Sequence, residues 1–308
     1  MKWLSWKSHV TESLGLDITS THIGLVHLRK TNTQCQIQQS IHIPIEKDKF
    51  SSFEAATIEA LKKGVIQLKT HHRKVNIAMP DVATLSRTFT LDTNNADWEK
   101  AALLRMAPDI PTPLDQVYLD FEAKKISDRA HPAQVLGVAC TQSDLNRRLQ
   151  MVQSAGLKPE VVELESHAIE RALDYFNIIQ DSSRQSACMY LTVDTVTILL
   201  WVKKTIIAMS SDYLKSVNQS IAIVSQLQQQ LAQMLFTSTT KSLQTAYITG
   251  YHPLQLGIAG ICQRQLGLNV CSFQPKINTS SKHAITQSLV AVGLALRGRL
   301  SIHYKDSL

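Results

Sequence analysis

The chain contains no run of about 20 uninterrupted apolar residues, so no stretch of it reads as a transmembrane helix. Its most apolar candidate, Met189 to Met209, is interrupted by Asp194, Lys203 and Lys204. The opening residues lack the long apolar stretch and small-residue cleavage site of a secretory signal, and a cytoplasmic location is expected. No C-x-x-C pair occurs among the five scattered cysteines, Cys35, Cys140, Cys188, Cys262 and Cys271. That set argues against a disulfide framework and for buried thiols in a reducing compartment. Zinc is not expected either: His71 and His72 sit in a basic turn with Arg73 and Lys74, and no Cys or His follows at ligand spacing. The net charge of +7 comes without an Arg-rich run or aromatic interleaving, so nucleic acid is not the expected partner. Diffuse positive charge suits an acidic bilayer surface as well. Trp3 and Trp6, between Lys2 and Lys7, have two readings, a bilayer contact or a frayed terminus.

What is present is a chain of 308 residues, 44% hydrophobic, long enough for about two domains. Val135 to Leu173 reads as strand, helix, turn, strand and helix. Val135, Leu136, Val138 and Ala139 make the first strand, and Ser143 stands where an N-cap belongs. Leu145, Leu149 and Val152 follow at helical spacing, Gly156 and Pro159 end the helix, and Val161, Val162 and Leu164 form the next strand before a helix opens near Glu165.

Two stretches share a plan. Leu14 to Leu28 reads as strand, turn, strand, with a third strand near Gln36 to Ile43. A helix from about Ser52 to Lys69 follows, its apolar stripe formed by Phe53, Leu61, Val65 and Leu68. Met189 to Val202 repeats the hairpin, Lys203 and Lys204 turn into a strand from Thr205, and a helix from about Val217 to Phe236 buries Val224, Leu227, Leu231 and Leu235. Each hairpin carries an aspartate at its turn, Asp17 and Asp194, which suggests a duplicated module.

On these residues the chain resembles the PilM family of type IV pilus assembly proteins, relatives of the actin-like protein FtsA. The resemblance implies an α/β, actin-like fold of duplicated β-β-β-α modules with a small inserted α+β subdomain. Its expected divisions are a first subdomain at 1–86, the insert at 87–158, and a second half at 159–308 with a shortened nucleotide-base subdomain and a closing helix from Ser288 to Arg297. Within the insert, Asn94 or Asn95 would cap a helix, Ile110 to Pro113 would form an ordered extended linker, and Val117, Leu119 and Phe121 a strand.

Actin-like proteins grip nucleotide phosphates with two hairpin turns, where glycine lets backbone N–H groups approach the anion. The resemblance therefore implies that, if ATP and Mg are still bound, the candidates are Asp17, Thr19, Ser20, Thr21, Asp194, Thr197 and Gly250, with Asp17 and Asp194 on the magnesium. The turns are eroded: Thr19 holds a position usually given to Gly or Ser, the second turn has no Gly and carries Val196, and Gly250 is followed by Tyr251, His252 and Pro253. Each aspartate also has a plain reading as the cap of its own turn. Glu163, Glu165 and His167 lie near the expected cleft and receive no chemical role.

The functional expectation is a scaffold at the inner membrane face with ATP binding weak or lost. It would bind the cytoplasmic N-terminal peptide of a PilN-like membrane protein, beside other pilus platform proteins. The family places that peptide in a groove, here walled by Ile77 to Ser86 and by Ile110 to Leu119, with Ile110, Pro111, Pro113 and Leu114 as the partner residues. Alternatives are an active ATPase or kinase-like phosphotransferase, a type II secretion or competence (DNA uptake) relative, and an FtsA-like polymer. The last would need a membrane helix that the closing SIHYKDSL is too short and polar to supply.

Overall fold

A computed structural model gives the fold and describes residues 11–30, 35–92, 97–125, 132–179, 184–237, 243–273 and 287–297. Trp3, Trp6, Asn94, Asn95 and the closing SIHYKDSL lie outside the described residues. The chain divides into a larger unit, Met1–Ala78 with Met151–Leu308, and a smaller one, Met79–Gln150.

In the larger unit, alternating and continuous apolar runs form two five-stranded sheets. The first contains β1 (Thr11–Ile18), β2 (His22–Lys30), β3 (Cys35–Pro44), β4 (Lys74–Met79) and β8 (Lys158–Leu164), in the order β3-β2-β1-β4-β8. The second contains β9 (Gln185–Leu191), β10 (Thr195–Val202), β11 (Thr205–Tyr213), β12 (Leu243–Gly250) and β13 (Asn269–Ser272), in the order β11-β10-β9-β12-β13. The two orders correspond strand for strand. In both, two antiparallel pairings supply the hairpins and the β1–β4 and β9–β12 pairings are parallel. Lys203 and Lys204 turn β10 into β11 with φ of 49° and 61°, the left-handed pair that a two-residue hairpin requires.

Each module carries its helix. α1 (Phe53–Gln67) is capped by Ser52, whose hydroxyl accepts the Ala55 N–H at 3.1 Å. Its buried face is made of Ala56, Thr57, Ala60, Leu61 and Gly64, whereas Phe53 and Val65 are only half-buried. The small residues let the helix settle close to Leu25 of β2. α5 (Ser220–Thr237) buries Ile223, Val224, Leu227, Leu231 and Met234 against the second sheet. Leu235 is half-buried and Phe236 is exposed. α6 (Gln255–Leu266) ends on Gly267 at φ 64°.

Two further helices join the halves of this unit. α4 (Glu165–Tyr175) and α7 (Leu289–Leu296) share one apolar cluster with Val26 and Leu28 of the first sheet and with Cys188, Tyr190, Leu199 and Trp201 of the second. All eight residues of α7 are buried, so it is covered around its whole circumference. At Gly293 a Cβ would stand 1.8 Å from the Ala168 carbonyl oxygen, so the two helices touch backbone to backbone there. The end of α7 is held by polar groups. Asn76 donates to the Leu294 carbonyl at 2.9 Å, and Arg171 donates to the Gly293 carbonyl at 2.8 Å. Arg171 also grips Glu163 with two bonds of 2.6 and 2.9 Å, and Arg297 closes on the same carboxylate.

The smaller unit is an antiparallel sheet, β5 (Leu85–Asp92), β7 (Pro132–Thr141) and β6 (Val117–Lys125) in the order β5-β7-β6, with α2 (Trp98–Met106) packed on it. α3 (Gln142–Ser154) follows β7. Its cap is Thr141 and not Ser143. The Thr141 hydroxyl accepts the Asp144 N–H at 3.1 Å and donates to the Asp144 carboxylate at 2.6 Å, closing both ends of the first turn. The smaller unit begins and ends about eight residues before the expected insert of 87–158, and β8 pairs into the first sheet.

Candidate functional site

The two hairpin turns of the larger unit are built alike. Thr19 N–H bonds to the His22 carbonyl at 2.9 Å, and Thr192 N–H to the Thr195 carbonyl at 3.0 Å. The Thr19 hydroxyl accepts the N–H groups of Thr21 and His22, at 3.4 and 3.0 Å. Its counterpart on Thr192 accepts those of Asp194 and Thr195, at 3.3 and 2.9 Å. Each threonine hydroxyl therefore takes two N–H groups of its own turn.

This equivalence revises the pairing of the two aspartates. Ile18 pairs with Ile23 and Asp17 with Gly24 across the first hairpin; Leu191 pairs with Val196 and Tyr190 with Thr197 across the second. The residue that corresponds to Asp17 is thus Tyr190, and Asp194 corresponds to Thr21. Asp17 is a strand residue, 6% exposed, whereas Asp194 lies in the turn and accepts the Thr192 hydroxyl at 3.1 Å. Thr197 is buried within β10 and accepts the Ser211 hydroxyl at 2.9 Å, so it faces a neighbouring strand. Ser20 is half-buried in the first turn. The correspondence of Tyr190 with Asp17 is legible only when the hairpins are aligned on Thr19 and Thr192; aligned on their aspartates, they conceal it.

Gly250 ends β12 with φ 113°, and a Cβ there would fall 2.0 Å from the Leu191 carbonyl oxygen. Glycine is required at this point because the chain crosses the end of β9, a crossing sealed by the Tyr251 N–H on that same carbonyl at 3.0 Å. The crossing aims Tyr251 at the first hairpin. Its ring meets His22 edge-on at 5.4 Å and His42 at 5.5 Å, while His22 and His42 stack at 4.5 Å. The hydroxyls of Tyr251 and Tyr190 are both buried, that of Tyr251 against Thr19 and that of Tyr190 against Asp17. Burial raises both phenols well above the usual tyrosine value, and the charges of Asp17 and Glu165 raise them further. Asp194 adds to the effect on Tyr251. Burial lowers the pKa of His22, so its imidazole stays neutral beside them.

Nucleotide and magnesium, which the actin-like plan implies, do not fit these residues. The turn amides that would cradle a phosphate are largely committed to Thr19, Thr192 and the carbonyls of the turns. The carboxylates of Asp17, Glu165 and Asp194 act electrostatically on Tyr251, and the first two on Tyr190, so the charge beside these rings is negative, as a polyphosphate's is. Among the described residues no group of three or more His, Cys, Asp or Glu side chains is placed to hold a metal ion. Glu163, near the cleft in sequence, is consumed by Arg171 and Arg297.

In the smaller unit, the residues expected to meet a partner separate into two kinds. Ile110 packs on Met106, Val117 and Ala139 and belongs to the core. Pro111 and Pro113 are exposed, and the short turn that follows presents Leu114, 43% exposed, close in sequence to Tyr118 at 43%. Arg87 pairs with Asp109 at 2.9 Å just before this stretch, and Gln142 donates to the Asp115 carbonyl at 3.1 Å just after it, so the extended segment is anchored at both ends. Ile77, Ala78 and Met79 are buried in β4, which removes them from the wall assigned to them by sequence.

Two sheets of matching strand order on a shared helix pair, with a three-stranded insert, define an actin-like α/β protein. The profile of the type IV pilus assembly protein PilM family matches residues 15–205, more than half of the chain, and the chain belongs to that family. Among solved structures it is similar to a chain of a PilM–PilN type IV pilus biogenesis complex, with 20% identity, a TM-score of 0.77, and 94% of this chain and 98% of that one covered. It also resembles the ethanolamine utilization protein EutJ of Carboxydothermus hydrogenoformans, with 13% identity, a TM-score of 0.54, and coverage of 94% and 90%. An actin-like ATPase-fold protein of unknown function from Bacteroides thetaiotaomicron matches with 11% identity, a TM-score of 0.52, and coverage of 89% and 95%. At these identities the likeness is one of fold.

Proposed function

We infer that this chain is a scaffold of type IV pilus biogenesis at the cytoplasmic face of the inner membrane. It captures the cytoplasmic N-terminal peptide of a PilN-like membrane protein and needs no ATP turnover to do so. The observation that carries this reading is family membership over residues 15–205 together with an anchored, exposed apolar strip at Pro111, Pro113, Leu114 and Tyr118. The prolines have no N–H to donate within the strip, and an extended peptide with apolar side chains suits such a surface. No helix among the described residues is long and apolar enough to cross a membrane. The partner supplies the attachment in this reading. Deleting the N-terminal peptide from a co-expressed PilN-like protein is expected to abolish co-purification; capture that survives the deletion overturns the reading.

A further inference from the structure

The geometry points to an aromatic latch in place of a nucleotide: Tyr251, carried by the second module, seats on His22 and His42 of the first and keeps the actin-like cleft shut without a ligand. In a nucleotide-dependent member of such a fold, the ligand is what bridges the two hairpins. Here protein rings span that gap directly, at 5.4 and 5.5 Å between centroids. The reading extends the scaffold proposal, whose clause on ATP it explains, and it stands on separate observations.

Three of these converge. Tyr190 is fully buried at the position that corresponds to Asp17, so where the first module has an acid the second has a ring packed in the cluster of α4 and α7. Gly250, the residue that would let a phosphate or base approach the backbone, is spent on the crossing over Leu191 that delivers Tyr251. Tyr251 lays its ring edge on His22 at 5.4 Å, and its buried hydroxyl reaches the same hairpin, against Thr19. A ring set edge-on against an imidazole gains from its buried area and from that geometry.

The test uses the full chain. Calorimetric and thermal-shift titration of the wild type with millimolar Mg-ATP is expected to give no saturable heat and no rise in Tm, since only a ligand bound to the native state raises it. Tyr251→Phe, which keeps the ring, is expected to melt well above Tyr251→Ala, and Tyr251→Ala to lose Tm with no recovery on addition of Mg-ATP. Saturable Mg-ATP binding by the wild type would overturn the proposal. So would a Tyr251→Phe variant that melts as early as Tyr251→Ala, since the hydroxyl would then be the active part. Should Tyr251→Ala fail to fold, the wild-type titration and the phenylalanine variant decide the matter alone. Co-purification with the PilN-like peptide, measured on the same preparations, reports separately on the scaffold reading.

Discussion

Glu163 and Arg171 meet side by side across the start of α4, two guanidinium nitrogens on two carboxylate oxygens at 2.6 and 2.9 Å, with the carboxylate 3% exposed. The same arginine reaches the Gly293 carbonyl, so the pair ties β8 and α4 to the last helix. Breaking a buried, doubly bonded pair leaves an uncompensated charge and costs about 3 kcal/mol. Glu163→Gln is expected to lower stability by about that amount in urea unfolding.

Gly293→Ala tests the helix contact. Its Cβ would overlap the Ala168 carbonyl oxygen, a backbone atom that cannot rotate away. Overpacking of this kind costs about 1–3 kcal/mol or more, and the variant is expected at or beyond the upper end of that range. An unchanged urea midpoint would mean that α4 and α7 lie further apart.

Acid is expected to weaken the fold before it reaches the carboxylates. Burial lowers the pKa of His22, His27 and His252 from 6.5, and in His27 it prevails over the opposing pull of Glu12, 3.3 Å away. Their neutral forms are favoured in the folded protein, and the unfolded chain takes up protons first. Stability that is complete above 6.5 is therefore lost as pH falls below it. Glu12, lowered from 4.5 chiefly by the Thr70 hydroxyl bond, acts in the same sense at more acidic pH. The urea midpoint should drop between about pH 7.5 and about pH 5.5.

Thiol chemistry should sort the cysteines by depth. Burial pushes Cys188 up to about 12 and Cys262 up to about 11, so neither forms thiolate at neutral pH. Both are expected to resist a disulfide reagent in the native protein and to react on unfolding, as read by mass spectrometry of labelled peptides.

Leu114→Asp places a charge on the exposed strip and should abolish capture of the PilN-like peptide. The side chain is 43% exposed, so stability should change by no more than about 0.5 kcal/mol. Normal capture by the variant would move the binding surface elsewhere.

Large apolar residues at helical spacing made α5 readable, and alternation with turn residues made the hairpins readable. The buried face of α1 was not, because Ala56, Thr57, Ala60 and Gly64 do their packing by being small and carry little hydrophobic signal. That every face of α7 is covered shows only from its surroundings, sheets and α4 together. The family resemblance supplied the insert and the nucleotide plan that the residues of the turns could be measured against. Asp194 drew attention as a turn aspartate, and Tyr190 did not, since a tyrosine in a strand is ordinary. Only cross-strand register shows that the tyrosine occupies the place of the acid.

The position of α7 in chain order has a consequence for biosynthesis. It is the last of the described elements, yet its eight residues cover the inner surfaces of both sheets of the larger unit. On the ribosome those surfaces must wait uncovered while everything before them is made, a period in which exposed apolar area invites aggregation. Each module can begin to form as it emerges, but neither can be completed until translation has passed residue 296.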